Sequence, residues 1–307
     1  MHLSIVSTLY YSAPYIKEFF ERISRSATEI TDDFEVIFVN DGSPDDSLRI
    51  VLELYKDSDK IRIIDLSRNF GHHKAIMTGL SQAEGDYVFL IDCDLEEEPE
   101  LLASFYRELT ESKDLDVVYG VQNKREGAWF RRLSGGLFYK IFNLLSDVQI
   151  PEDMTISRMM TKRYVENLIM YHERELVFAG ISTLVGFEQK GLLIDKKYKG
   201  KSDYTLRKKF ALLINSVTSF SNKPLIFIFY IGLIISIISS LYILKVLIQK
   251  IFFQITISGW TSLIISIWFL SGIIIFSIGL MGLYLSKVFT EIKKRPYTII
   301  KRIYSRH

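Results

Sequence analysis

The sequence predicts an α/β domain with a mostly parallel sheet, residues 1–200, followed by a hairpin of two membrane-spanning helices. Short β-type runs alternate with helical stretches through the first 200 residues, which is typical of a parallel sheet with helices on both faces. Two long uncharged apolar runs follow, and the first of them begins at Pro224. Each run is long enough to cross a bilayer. A chain of 307 residues has room for both parts.

The β-type runs and helical stretches follow one another in regular order in the N-terminal part. Periodicity and turn residues predict strands at residues 3–8, 34–39, 61–66, 87–91 and 116–120. They predict helices at residues 15–27, 46–56, 75–83 and 100–111. In sheets of this kind, ligands bind at the carboxyl ends of the strands. The polar and acidic residues after strands two, three and four are therefore expected to form one site.

Charge and cysteine content exclude several classes of function. The net charge is +2, and no arginine-rich stripe with interleaved aromatic residues occurs, which argues against a nucleic-acid partner. Cys93 is the only cysteine, so an intramolecular disulfide framework is excluded, and a reducing compartment fits. The first residues lack a basic segment and a long apolar core, so they are expected to form a strand rather than a signal peptide.

Two predicted membrane spans cover residues 224–244 and 260–285, and neither contains a charged residue. The connection between them has two basic residues, whereas the segment before the first span and the tail after the second are rich in lysine and arginine. This asymmetry places both flanks in the cytoplasm, so residues 224–307 are predicted to form two spans of a multi-pass protein with a basic cytoplasmic tail. The alternative is a pair of long helices buried in a globular core.

Residues 201–223 are predicted to form an amphipathic helix next to the first span. Leu206, Phe210 and Leu213 share one helical face, and Arg207 lies beside it. A basic amphipathic helix of this kind suits the surface of an anionic lipid bilayer. Packing against the α/β domain is the alternative.

Asp92 and Asp94 come directly after the fourth predicted strand. Alternation along the strand sends two carboxylates that are two residues apart to the same side. Hard oxygen ligands of this kind bind Mg²⁺ or Mn²⁺ together with the phosphates of a substrate. Glu96 is a candidate for a further ligand. A solvated acidic loop without a metal is the alternative.

Polar residues also follow the second and third predicted strands. Asp41 and Ser43 offer a carboxylate and a hydroxyl that suit a ribose or a uracil edge, and a simple helix-entry turn is the alternative. Arg68, after the third strand, is a candidate contact for phosphate. His72 and His73 are expected to line the pocket rather than to bind zinc.

A basic cluster follows the last predicted strand and contains Lys124, Arg125, Arg131 and Arg132. Arginine binds phosphate through two parallel hydrogen bonds. These residues are therefore natural anchors for a phosphorylated lipid acceptor. A charge run that faces solvent or lipid headgroups is the alternative.

Motifs along nearly the whole chain resemble those of one family. In chain order they are Asn40-Asp-Gly-Ser, Leu66-Ser-Arg-Asn-Phe-Gly-His, Asp92-Cys-Asp-Leu-Glu-Glu-Glu-Pro-Glu, Val118-Tyr-Gly-Val, Val185-Gly-Phe-Glu-Gln and Gly200-Lys-Ser-Asp-Tyr. With the two spans that follow, the chain resembles the bacterial polyprenyl-phosphate glycosyltransferases of family 2, which have a GT-A (Rossmann-like) fold and include the bactoprenol glucosyltransferases. It is also similar to the dolichyl-phosphate mannose synthases.

The resemblance implies a reaction and a location. A sugar is expected to pass with inversion from a nucleotide-sugar donor, a UDP-sugar by family pattern, to a polyprenyl phosphate acceptor such as undecaprenyl phosphate. Mg²⁺ or Mn²⁺ is the implied cofactor. The enzyme is expected in the bacterial cell membrane with its catalytic domain in the cytoplasm, and assembly into a homo-oligomer is left open.

The resemblance also assigns roles to single residues. Asp92 and Asp94 take the diphosphate and the metal, Asp94 as a catalytic residue, and Glu96 stands as a metal ligand where the family usually has glutamine. Expected contacts to the nucleotide-sugar are Ser7, Asp41, Ser43, Arg68 and Asp92. Expected contacts to the acceptor phosphate are Lys124, Arg125 and Arg131.

Three further positions depart from the family pattern. Gln122 replaces a common arginine, so binding of the acceptor phosphate passes to the basic cluster. Asp153 is the candidate counterpart of a catalytic aspartate, displaced along the sequence. Ala179 replaces a frequent arginine, so recognition of the sugar or the acceptor is expected to differ from that of the glucosyl members.

Two other functions are alternatives. A glycosyltransferase that extends a lipid-linked glycan usually carries a Gln-x-x-Arg-Trp-type motif and more spans, and neither is found. A catalytically silent scaffold of polysaccharide assembly would not need an intact Asp92 and Asp94.

Overall fold

A computed structural model describes residues 2–112, 114–123, 145, 151, 153–173, 178–196, 218, 221–253 and 259–306. The strands are β1 (Leu3–Leu9), β2 (Phe34–Asn40), β3 (Ile61–Leu66), β4 (Tyr87–Leu90), β5 (Val117–Gln122), β6 (Met154–Thr161), β7 (Gln189–Ile194) and β8 (Ile300–Tyr304). The helices are α1 (Ile16–Thr28), α2 (Ser47–Asp57), α3 (His72–Leu80), α4 (Leu101–Glu111), α5 (Lys162–Leu168), α6 (Phe178–Leu184), α7 (Lys223–Phe253) and α8 (Trp260–Ile292).

All eight strands belong to one sheet with the order β7-β5-β6-β4-β1-β2-β3-β8. β1 pairs in parallel with β2 and β4, β2 pairs in parallel with β3, and β5 pairs in parallel with β7. β6 runs antiparallel between β4 and β5, and β8 runs antiparallel to β3. The predicted mostly parallel α/β sheet is confirmed, and all five strands predicted from periodicity are present.

The centre of the sheet is buried on both faces. Every residue of β1 is buried, as expected for a parallel strand covered by helices on both sides. On one face Ile5 packs in a core cluster with Phe19 of α1 and Phe105 of α4. On the other face α3 lies very close, because a Cβ atom on Gly79 would come within 2.5 Å of the Val6 side chain. The sheet is therefore a rigid platform for the loops at its edges.

The last strand, β8, was not predicted, because the sequence analysis treated the segment after the second span as a basic tail. The compact unit that contains the sheet includes residues 295–307. The Ser67 amide donates to the Ile299 carbonyl (2.9 Å), and the hydroxyls of Thr78 and Thr298 lie 2.8 Å apart. The segment Ile300–Tyr304 contains β-branched and aromatic residues that favour a strand, but two adjacent basic residues interrupt them and the partner strand, β3, is remote in sequence.

A second compact unit contains α7 and α8, which include the two predicted spans. Within the described residues, one helical stretch, Ser266–Ile292, is long and apolar enough to cross a membrane, and Lys223–Ile235 is a shorter apolar stretch. Large apolar side chains on α8 are exposed, for example Trp268 at 79% and Ile275 at 71%. This exposure suits contact with lipid rather than a globular core. The amphipathic segment 201–217 lies outside the described residues.

Candidate active site

Six strands end at one edge of the sheet. β1, β2, β3 and β4 are parallel, so their carboxyl ends lie together. β4 and β5 are both antiparallel to β6, so β5 and its parallel partner β7 also end at this edge. In open α/β sheets this edge is where ligands bind. The expectation that the polar loops converge is met by this topology.

Asp41, at the end of β2, holds the loop after β3. Its Oδ1 accepts the Phe70 amide (2.7 Å), and its Oδ2 accepts the Gly71 amide (3.0 Å). Burial raises the pKa of this carboxyl, and the two amide donors partly oppose the rise. Gly42 follows with φ +58°, and a Cβ there would lie 2.5 Å from the Arg68 carbonyl carbon. Only glycine permits this close approach of the two loops.

Ser43 joins the loops that follow β1 and β2. Its hydroxyl accepts the Tyr11 amide (2.8 Å) and donates to Asp45 Oδ1 (2.6 Å). Burial raises the pKa of Asp45, but the Ser43 and Ser47 hydroxyls and the Ala13 amide lower it below its ordinary value overall. The structure thus uses Ser43, a predicted nucleoside contact, to fix the shape of the loops.

Tyr10 and Tyr11 form an exposed aromatic pair beside Asp41. Their side chains are 48% and 61% exposed, and the ring centroids are 4.8 Å apart in an edge-to-face arrangement. Tyr11 has φ +55°, which is uncommon for a residue with a bulky side chain and concentrates at functional sites. The sequence analysis treated this segment only as a loop, and the signal that it missed was two adjacent aromatic residues at the end of the first strand.

Ser7 and Arg68, two predicted contacts to the nucleotide-sugar, have opposite surroundings. Ser7 is fully buried in β1, on the same face as Ile5, and its hydroxyl has no hydrogen-bond partner within the described residues. This position leaves Ser7 no surface for a ligand, which corrects the prediction. Arg68 is exposed, donates to the Asn69 carbonyl (3.1 Å) and stacks over the Phe70 ring at 4.2 Å. Its guanidinium is therefore accessible at the edge.

Asp92 lies at the centre of the edge, directly after β4. Its side chain is 28% exposed, but Oδ1 is buried without a hydrogen bond in the described part of the chain. Burial, followed by the neighbouring charges of Asp94 and Glu97, raises the pKa of Asp92 to about 7. His72 Nε2 lies 3.5 Å from Asp92 Oδ1, and His72 Nδ1 lies 3.1 Å from Thr8 Oγ1. His72 therefore lines the site, as expected, and burial lowers its pKa.

The rest of the acidic loop is held in two different ways. Asp94 Oδ1 accepts the Glu96 amide (3.0 Å), which fixes a tight turn. Glu96 Oε2 lies 3.0 Å from Lys196 Nζ, and Glu97 Oε1 lies 3.8 Å from the same nitrogen. Burial lowers the pKa of Lys196, but the carboxylates of Glu97, Glu96 and Asp92 raise it above its ordinary value overall. The sequence analysis missed Lys196, and only its position after a strand could have indicated it.

Comparison with known proteins assigns this arrangement to a family. The model of glycosyl transferase family 2 matches residues 4–169, more than half of the chain. The chain belongs to glycosyl transferase family 2. It is therefore a glycosyltransferase enzyme with a GT-A fold, as the motifs predicted.

Relatives of this family 2 glycosyltransferase match it from end to end. A Mycobacterium tuberculosis protein, named only as one of the glycosyltransferases, is 51% identical over 99% of this chain and 89% of its own length. The SfII prophage-derived bactoprenol glucosyl transferase of Shigella flexneri is 30% identical over 98% of both chains. Among solved structures, the mannosyltransferase PcManGT of Pyrobaculum calidifontis, in complex with GDP-Man and Mn²⁺, is 16% identical, with 71% of this chain and 63% of that chain covered and a TM-score of 0.49.

The family 2 site contains ligands that fit a hard divalent cation. The acidic loop presents carboxylate oxygens, and one of them, Asp92 Oδ1, is buried without a donor. Across the described ranges, no group of three His, Cys, Asp or Glu side chains is arranged to bind a metal. Asp92 and Asp94 are the carboxylates that would hold such a cation together with substrate phosphates. Mg²⁺ is commonly bound in this way.

Asp153, another predicted residue of this family 2 enzyme, lies at the same edge. Asp153 has φ +60°, and its carbonyl accepts the Gln122 amide (3.0 Å). It precedes β6, which is antiparallel to β4, so Asp153 belongs to the edge that carries Asp92. The basic cluster, with Lys124, Arg125 and Arg131, lies outside the described residues.

Proposed function

We propose that this enzyme transfers a sugar, with inversion, from a UDP-sugar to a polyprenyl phosphate at the cytoplasmic face of a bacterial membrane. The observation that carries the proposal is the convergence of Asp41, Asp92, Asp94 and Lys196 at the ligand-binding edge of a family 2 domain. An apolar helix in the same chain supports a lipid-linked acceptor.

The donor nucleotide is proposed to bind at the ends of β1, β2 and β3. Tyr10 and Tyr11 offer exposed aromatic faces for a nucleobase. Arg68 offers a guanidinium for phosphate. The loops that carry them are tied together through Asp41, so the donor pocket is preorganised.

The diphosphate is proposed to lie at Asp92 and Asp94. A bound Mg²⁺ or Mn²⁺ would neutralise charge on the leaving nucleoside diphosphate. The carboxylates of these residues orient the cation and the donor, and His72 supports Asp92 from the side of α3.

The acceptor phosphate is proposed to bind at Lys124, Arg125 and Arg131, with Asp153 nearby as the candidate base. A polyprenyl phosphate is already ionised at neutral pH, so positioning and charge stabilisation contribute more than proton removal. The name of the Shigella flexneri relative, a bactoprenol glucosyl transferase, supports a prenyl acceptor.

The domain order is proposed to be a catalytic domain in residues 1–200, a juxtamembrane helix in 201–223 and two spans in the region that follows. The pairing of β3 with β8 supports a topology in which the chain before α7 and the chain after α8 are on the same side of the membrane. Such a topology has an even number of crossings between them. If α8 crosses the bilayer, α7 supplies the second crossing, which supports a multi-pass hairpin.

Cysteine labelling should show this topology. With a membrane-impermeant maleimide on intact cells, we expect Gly259→Cys to be labelled and Lys301→Cys to be labelled only after the cells are permeabilised. Cys93 is buried at 1% exposure and serves as the unreactive background. Labelling of both positions in intact cells, or of neither, would contradict the hairpin.

Purified enzyme in detergent should reveal the reaction. We expect incubation with undecaprenyl phosphate, Mg²⁺ or Mn²⁺ and a panel of nucleotide-sugars to release nucleoside diphosphate and to add one sugar to the lipid with one donor. Asp94→Asn and chelator should abolish both signals. Turnover with a glycan acceptor only would favour an enzyme that extends lipid-linked glycans. No turnover with any donor or acceptor would favour a silent scaffold.

A further inference from the structure

Lys196 stands at the end of β7 with its ammonium among the carboxylates of the acidic loop. Nζ lies 3.0 Å from Glu96 Oε2 and 3.8 Å from Glu97 Oε1, and the side chain is 30% exposed. Its charge also acts on Asp92 and His72. The ammonium is therefore inside the candidate site and not on a distant surface.

Lys196 lies within ion-pair distance of two carboxylates of the acidic loop, and the charge of the buried Arg158 guanidinium also acts on Glu97. Asp92, Asp94, Glu96 and Glu97 carry carboxylates, and in the described part of the chain Lys196 is the only permanent cation within ion-pair distance of any of them. Glu97 is 3% exposed, and neither of its oxygens has a hydrogen-bond partner within the described residues. A buried carboxylate without a hydrogen bond is strongly unfavourable unless a cation compensates it.

The hydrogen-bond donors of the Lys196 ammonium determine how many partners it can bind. An ammonium has three N–H donors and no acceptor. Glu96 Oε2 lies within hydrogen-bond distance of the ammonium at 3.0 Å, whereas Glu97 Oε1, at 3.8 Å, lies beyond that distance. The ammonium therefore keeps donors for a ligand, and the side chain is partly exposed.

We propose that Lys196 is a catalytic residue that contacts the β-phosphate of the nucleotide-sugar, and that Glu96 and Glu97 hold it in place. This inference deepens the proposed function and rests on it. In the reaction, an oxygen of the acceptor phosphate forms a bond to the anomeric carbon. The bond from that carbon to the β-phosphate oxygen breaks, and its electron pair stays on the nucleoside diphosphate. Lys196 stabilises the negative charge that develops there.

The proposal changes the role of Glu96. The sequence predicted it as a metal ligand, but its carboxylate is paired with Lys196. We infer that Glu96 is a positioning residue. Loss of Glu96 should then matter only while Lys196 is present, whereas loss of a metal ligand would matter in both backgrounds.

A double-mutant cycle on the full chain in detergent tests the pair. The variants are Lys196→Met, Glu96→Gln, the double variant and Lys196→Arg. Lys190→Met is the matched control, because Lys190 lies on β7, the strand that leads to Lys196, and pairs with Glu108. The readouts are calorimetric affinity for UDP and for UMP with Mg²⁺ present, and Mn²⁺ affinity without nucleotide. UDP and UMP differ by the β-phosphate that Lys196 is proposed to contact.

We expect Lys196→Met to weaken UDP binding by about 10- to 100-fold, the loss typical of a hydrogen bond to a charged group, and to leave UMP binding nearly unchanged. Mn²⁺ should bind the same variant more tightly, because a positive charge has left the acidic loop. A purely structural role would weaken both ligands. Lys196→Arg should keep part of the UDP affinity, and Glu96→Gln should add no loss to Lys196→Met.

Three results would overturn the inference. The first is a UDP affinity of Lys196→Met equal to that of the Lys190→Met control. The second is an equal loss of affinity for UDP and for UMP in Lys196→Met. The third is a loss of UDP affinity in the double variant that equals the sum of the losses in the single variants. If the wild-type protein binds neither UDP nor GDP, the proposed donor class fails, and the inference falls with it. If the wild type binds UDP and Lys196→Met binds it equally well, the proposed role of Lys196 fails and the proposed donor class stands.

Discussion

The Asp92→Asn variant should lose at least about 100-fold of its sugar-transfer rate, because one carboxylate that orients the cation and the diphosphate disappears. The amide keeps the shape of the side chain, so the loss reports charge rather than packing. The same variant should be more stable to heat than the wild type in the presence of chelator. Asp92 Oδ1 is buried without a donor beside the charges of Asp94 and Glu97, and the substitution removes that repulsion.

The expected gain in the free energy of unfolding is about 1 kcal/mol, in the range found when a strained functional site is relieved. Turnover and thermal unfolding of the two proteins measure both effects. Asp86→Asn is the matched control: Asp86 lies just before the opposite end of β4, where its carboxylate accepts the His2 amide (2.9 Å). It should leave turnover unchanged. An Asp92→Asn variant that keeps more than a tenth of the wild-type rate would exclude Asp92 from the catalytic site.

The Asp41→Ala variant should bind the donor about 10- to 100-fold more weakly and should also be less stable. Its carboxylate accepts the amides of Phe70 and Gly71, and alanine leaves both donors without their partner. We expect the free energy of unfolding to fall by about 2 kcal/mol, the loss typical of unsatisfied buried donors offset by removal of a buried charge. The loop that carries Arg68 then loses its fixed position.

Donor affinity by calorimetry and urea unfolding measure these effects. Asp33→Ala is the control, since Asp33 lies at the opposite end of β2. Among the described hydrogen bonds and ion pairs, its side chain contacts only His2, with 2.9 Å between Asp33 Oδ1 and His2 Nδ1. It should change neither quantity by much. If Asp41→Ala binds the donor as tightly as the wild type, the loop that Asp41 holds is not part of the donor pocket. If its free energy of unfolding is unchanged, the amides of Phe70 and Gly71 find other acceptors.

The sequence determined the main features of this protein because they are local in origin. Short, largely apolar β-type runs bounded by turn residues predicted the first five strands, and the placement of Asp92 and Asp94 after a buried strand predicted the acidic site. Uncharged runs predicted the apolar helices, since length and composition alone decide whether a helix suits a bilayer. The motifs that this chain shares with family 2 were enough to predict the family, and the match of the family model to residues 4–169 confirms it.

Only the tertiary structure decided which residues meet. β8 pairs with β3 across most of the chain, and the contact of Lys196 with Glu96 depends on β7 joining the sheet beside β5. The family resemblance implied Ser7 as a contact to the nucleotide-sugar, but its side chain is fully buried in a strand that helices cover on both faces, and no local pattern reports that burial. Contacts between remote segments depend on sheet order and register, and these follow from packing of the whole domain rather than from any local pattern.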